Sequence, residues 1–189
     1  MKTRFIPYSI LLIFVSMLFF VSCKKELTGE DNAQEVITTM QLTFTPQNGG
    51  NSVSYKFDDP DGPGGNNPVK DQIILSAGVT YDVVLQLLNK TTDPLEDVTL
   101  EVEKDGEAHH LYYEPSTTSN LTVTNLSNDV NGLPLGIKSV WKTGAAGSGT
   151  IKITLRHYPG FPPDKLASDP VDSPKSSTDV EVEFATIVK

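Results

Sequence analysis

The 189-residue sequence contains a single cysteine, Cys23, so no disulfide can form within the chain and no site built from several thiolates is open to it. Positive charge is also in short supply, with 15 Lys and Arg against 24 Asp and Glu. Nucleic acid is thereby disfavoured as a partner, because binding it would bring like charges together instead of releasing counterions. Common catalytic motifs are missing too. No G-x-S-x-G elbow occurs, and the acids show no spacing that marks an acid/base pair. The glycine-rich stretch Gly144 to Thr150, GAAGSGT, lacks the lysine and the following helix of a phosphate cradle. It reads as a hairpin loop between IKSVWKT and TIKITLR, and an enzyme is not expected.

What is present begins with a leader. Lys2 and Arg4 form a basic start, Ile10 to Val21 an uncharged apolar run, and Ser22 a small residue before Cys23. This is the layout of a secretory signal peptide ending in a lipoprotein box, similar to that of bacterial lipoproteins except that Phe20 stands where Leu is commonest. The expectation is cleavage after residue 22, acylation of Cys23 and attachment to a membrane of the cell envelope, most simply the outer membrane. An uncleaved membrane-spanning anchor is the alternative, since the apolar run is nearly long enough to cross a bilayer. Cleavage would remove two basic residues and leave 167 residues with 13 basic and 24 acidic side chains, enough for one domain. With Cys23 taken by lipid, that domain would have no thiol, and cations become its natural ligands.

Residues 23–34 are polar and without apolar periodicity, as a flexible tether would be. From Val36 onward the pattern is period two in short runs: Val36, Met40, Leu42 and Phe44 on one face, then Val53, Tyr55 and Phe57, then Ile73 to Leu75, then Tyr81 to Leu87. Leu111 with Tyr113, Leu121 with Val123, Ile137 with Trp141, Ile151 to Leu155 and Val180 to Phe184 continue it. Turn residues separate nearly all of these runs. Residues 35–189 are therefore expected to form an all-β, antiparallel, immunoglobulin-like sandwich of eight or nine strands, with Trp141 as core filling. One stretch is ambiguous. Asp93, Pro94 and Glu96 spell a helix start, with Leu95, Val98 and Val102 on one face and Gly106 at the end, yet Val98, Leu100 and Val102 also alternate as a strand. A short helix near 94–105 is the preferred reading.

The leader together with EVITTMQLTF, FDDPDGPGGN, LLNKTTDPLEDVT, NGLPLGIKSVWKTGAAGSGTIKITLRHYP and the closing DVEVEF resembles a family of small Bacteroidetes lipoproteins over most of the chain. That family is often labelled as having a type 1 periplasmic binding fold, which implies two doubly wound α/β lobes. The alternation of strands and helices that such lobes require is not in this sequence, so the sandwich reading stands.

Two constellations could hold an ion. Asp58, Asp59 and Asp61, with Gly62, Asn66 and Asn67, place oxygen donors on a tight turn suited to calcium, without the closing glutamate of an EF-hand. His109 and His110 point to opposite faces of a strand, and His157 follows Ile153 and Leu155 in inward phase. If the HHLYYEP and TLRHYP strands are neighbours, one of the pair meets His157. With Glu107 or Glu114 it would then form a site for zinc, copper or haem iron, beside Tyr112, Tyr113 and Tyr158 for a planar ligand. Asp129 with Asn131 and Gly132 reads as a plain turn. The functional expectation is a membrane-tethered, non-enzymatic binding or interaction module with a protein or small-ligand partner in the envelope. The alternatives are metal or haem capture through His109 or His110 with His157, and a calcium-stabilised adhesin-like or glycan-binding domain.

Overall fold

The computed structural model describes residues 35–62 and 64–189. The expected leader, Cys23 and the tether lie outside the described residues. Alternation of apolar and polar side chains turns each run into a strand with one buried face, and two such sheets close on each other. The first sheet runs β3 (Val69–Lys70), β2 (Val53–Asp58), β1 (Thr39–Pro46), β5 (Thr80–Asn89), β9 (Lys138–Thr143), β8 (Leu121–Thr124), with β6 (Glu96–Asp97) also paired to β5. The second runs β4 (Ile73–Leu75), β11 (Ser177–Val188), β10 (Gly147–His157), β7 (His109–Pro115). The orders β1-β5-β9-β8 and β11-β10-β7 are the A-B-E-D and G-F-C orders of an immunoglobulin-like sandwich. Every pair is antiparallel except β4 with β11, which is parallel at the sheet edge. The fold is all-β, and not the α/β lobes implied by the family label.

Met40, Leu42, Phe44, Leu85 and Leu87 from the first sheet meet Leu111, Ile151, Ile153, Leu155 and Phe184 from the second, all buried. Trp141 lies in this core, edge-on to Phe44 at 5.1 Å and to Tyr113 at 5.8 Å, its indole N–H donating to Ser139 Oγ at 2.9 Å. Val36 departs from the expected face and is half exposed, because pairing begins only at Thr39.

Among the described residues, eleven strands stand where eight or nine were expected; the additional β3 and β6 are two residues each, too short to carry a periodic signal. The segment GAAGSGT corrects a second expectation. It is no hairpin, since β9 pairs in the first sheet and β10 in the second. Both strands have one apolar face, and that pattern alone does not choose a partner. The helix also differs from its expected bounds: α1 covers Val98–Lys104, capped by the Asp97 carboxylate on Thr99 N, with Asp105 and not Gly106 as C-cap. Glu96 and Asp97 are claimed by β5, through Asn89 Nδ2 on Glu96 Oε2 and Gln86 Nε2 on Asp97 Oδ2. Val98 and Val102 are buried one turn apart as expected, whereas Leu95 lies before the helix and is exposed.

At the end of β2, Asp58 accepts hydrogen bonds from Lys90 Nζ, from Lys56 Nζ at 2.9 Å and from Thr39 Oγ1 at 2.7 Å. Burial would raise its carboxyl, but these donors outweigh that and hold it well below the usual carboxylate range. A group depressed in the folded state contributes stability above its unfolded value, near pH 4, and loses it as pH falls further. Asp58→Asn is therefore expected to cost about 1–2 kcal/mol at pH 7 and to shrink the loss below pH 4, read by urea denaturation across pH. Identical acid limbs in the two proteins would contradict this.

Candidate metal centre

The two strands that carry the histidines are indeed neighbours, and their register sets His109 opposite His157 and His110 opposite Arg156. Since Leu111 and Leu155 face the core, His109 and His157 continue that inward face at the end of the sheet, and their ring centroids lie 4.9 Å apart. Alternation sends His110 to the other face, where its ring lies against Tyr112 at 3.9 Å. It takes no part with His157.

The third member was not legible in the sequence. In the pairing of β10 with β11, Leu155 faces Val180 and Arg156 faces Thr178, so Asp179 is the extra residue of a β-bulge. Strict alternation would place Asp179 with Glu181 and Glu183 on the solvent face; the bulge turns it inward, and its side chain is fully buried. Arg156 holds the chain leading into the bulge, donating through Nε to Ser176 Oγ at 3.0 Å, through Nη1 to Thr178 Oγ1 and through Nη2 to the Ser173 and Ser176 carbonyls. The two acids expected to complete the site are engaged elsewhere. Glu107 accepts from Asn131 Nδ2, and Glu114 pairs with Lys152 at 3.2 Å in solvent.

His109, His157 and Asp179 each offer one ligand atom, and the three atoms lie within 4.8 Å of one another. His109 is 2% exposed. Its Nδ1 lies 2.9 Å from the carbonyl oxygen of Asp105, a contact that only an Nδ1–H makes favourable, which leaves a lone pair on Nε2. That Nε2 has no hydrogen-bond partner and stands 3.8 Å from Asp179 Oδ2. A ring oriented by a backbone carbonyl, with its other nitrogen presented to a carboxylate and a second imidazole, is the arrangement found where histidine ligates a metal. Burial pushes His109 down to about 4, so the imidazole is neutral at physiological pH. Burial, with help from the Glu35 charge, pushes Asp179 up to about 7. Two nitrogens and one oxygen suit borderline-soft divalent ions such as zinc, nickel or copper.

Below the site, Lys165 is buried and donates from Nζ to the carbonyls of Gly106 at 2.6 Å, His109 at 2.7 Å and Pro134 at 3.1 Å. Its ion pair with Asp129, at 2.7 Å, has both side chains withdrawn from water. Asp129 Oδ1 also accepts from the backbone N–H groups of Asn131 and Leu133, so the turn expected at Asp129 exists but has a buried cation beneath it. This pair clamps the proline-bearing loop that follows β10 against the strand that begins at His109.

The aspartate-rich turn does not converge in the same way. Asp58 faces two ammonium groups, which supply the positive charge that calcium would bring, and Asp61 Oδ2 accepts from the main-chain N–H and the side-chain amide of Asn66 at 2.9 and 2.7 Å. Among the described residues, the group suited to an ion is the one at His109, His157 and Asp179. Compared with known protein families, curated proteins and solved structures, the chain finds no match.

Proposed function

We propose that this chain is a non-enzymatic binding lipoprotein of the cell envelope, tethered through Cys23, whose sandwich captures one divalent transition-metal ion at His109, His157 and Asp179. The observation that carries the metal reading is the buried, partnerless Nε2 of His109, oriented by the Asp105 carbonyl toward Asp179 and facing the His157 ring. Leaving such a nitrogen dry and unpaired costs about 1–3 kcal/mol, and a ligated cation removes that cost. Zinc is favoured by an N2O donor set, the three-ligand count common where zinc keeps a further coordination position. Haem is the weaker choice, because imidazoles 4.9 Å apart leave no slot for a macrocycle between them, and Tyr112 and Tyr158 are joined OH to OH at 2.8 Å. Tethering and the excess of acids support an envelope role in which cations are held close to a membrane surface.

Isothermal titration of the purified metal-free protein with zinc is expected to give one ion per chain, with Asp179→Asn weakening binding by about 10- to 100-fold. Absence of zinc, nickel and copper binding at micromolar concentrations would overturn the metal reading.

A further inference from the structure

The chain enters the sandwich and makes three of its connections at the same end. Thr38 N donates to Leu88 O, so β1 starts where β5 finishes. From there residues 90–108 lead to His109, which lies opposite His157, and His157 lies opposite Ser177, so the 158–176 connection closes on the same end. Residues 125–137, between β8 and β9, join it through Asp129, whose ion pair with Lys165 measures 2.7 Å. Nine large apolar side chains are exposed among the described residues, and six of them lie here: Val36, Leu95, Leu100, Val130, Phe161 and Leu166. The two most exposed stand on loop tips, Phe161 at 94% and Val130 at 86%. Both tips are uncharged, Pro159 to Pro163 in one and Val130 to Pro134 in the other, in a chain of net charge −9. The buried ion pair behind them involves the residue before Val130 and the residue before Leu166, and it fixes the two loops to each other. Apolar side chains held outward on fixed, uncharged tips mark a surface that meets another apolar phase.

Resting on the Cys23 tether proposed above, we propose that this end docks on the bilayer that holds the anchor, with Phe161 entering the headgroup boundary and Val130 and Leu166 beside it. Reach decides which end meets the surface. Residues 24–34 would average roughly 20 Å end to end as a flexible chain and reach about 40 Å at full stretch. The twelve residues of β11 make the sandwich about 40 Å long. The entering end is therefore the one kept near the lipid, whereas the opposite end touches it only with the tether drawn taut along the whole domain. The 90–108 connection carries seven acids and two lysines, so zwitterionic headgroups suit this end better than anionic ones. One phenyl ring would hold a free domain only weakly, and the tether supplies the effective concentration that makes the contact count. Docking would keep His109, His157 and Asp179 at the membrane-facing end.

The test couples the protein beginning at Cys23, which keeps every described residue, through that thiol, the chain's only one, to a maleimide lipid in phosphatidylcholine vesicles with brominated acyl chains. Phe161→Trp places a reporter at this end and Val53→Trp one at the opposite end, where Val53 pairs with Phe44; both positions are exposed. The fully buried Trp141 of the wild-type protein gives the constant background. The expected result is roughly twofold or greater quenching of the added indole in Phe161→Trp, as for a side chain sunk about 5–10 Å into the headgroup boundary, and none in Val53→Trp. Absence of quenching at position 161, or equal quenching at both positions, overturns the docking. Sedimentation of the uncoupled protein is expected to show monomers; dimers that disappear in Phe161→Ser would assign the patch to a second copy and overturn lipid docking as well. Because coupling replaces natural acylation, these outcomes do not depend on the anchor, which intact-mass measurement of the native product reads separately.

Discussion

Replacing Lys165 with methionine is expected to destabilise the protein by about 3–5 kcal/mol, the cost of leaving a buried charge without its partner. The removed ammonium serves four oxygens: the carbonyls of Gly106, His109 and Pro134, and the carboxylate of Asp129 at 2.7 Å. Methionine fills the volume but satisfies none of them. Asp129 would keep two backbone donors, from Asn131 and Leu133, which is too little to offset the loss of a cation in a dry site. Asp129→Asn should cost less, because the amide oxygen can still accept those two N–H groups. Combining Lys165→Met with Asp129→Leu should recover part of the loss, since removing both charges is better tolerated than removing one. Urea denaturation of the four proteins measures this, and a Lys165→Met effect below about 1 kcal/mol would show that the pair is not load-sharing in the folded state.

Zinc should raise the unfolding free energy of the wild-type chain by about 4 kcal/mol when free zinc exceeds its dissociation constant a thousandfold, because the unfolded chain scatters the ligands. In His109→Ala that increment should disappear. The metal-free variant should itself lose stability modestly, as a cavity replaces a buried ring whose Nε2 had no partner. The comparison separates the two roles of His109, core filler and ligand, since only the second depends on zinc. Thermal unfolding with and without zinc is sufficient, and an equal zinc-induced shift in both proteins would contradict ligation by His109.

The strand content was legible because period-two burial is local: Met40, Leu42 and Phe44, or Ile151, Ile153 and Leu155, declare their faces without reference to anything else in the chain. The pairing of His109 with His157 was legible only as a condition. Both lie in phase on inward faces, but the adjacency of β7 and β10 comes from the sandwich topology. The helix start was misplaced by four residues, since the local capping signal at Asp93 competes with pairing of Glu96 and Asp97 to β5, and the pairing wins.

Composition and alternation by themselves determined an all-β domain without disulfides and two histidines able to share a face. Tertiary structure alone decided which acid joins them and which cation lies beneath. Asp179 reaches the imidazoles through a single-residue bulge, and a bulge reverses the face of a side chain without leaving a mark in the hydrophobic pattern. Lys165 sits in a proline-bearing loop where lysine reads as solvated, and only the surrounding carbonyls and Asp129, far away in sequence, make its burial favourable.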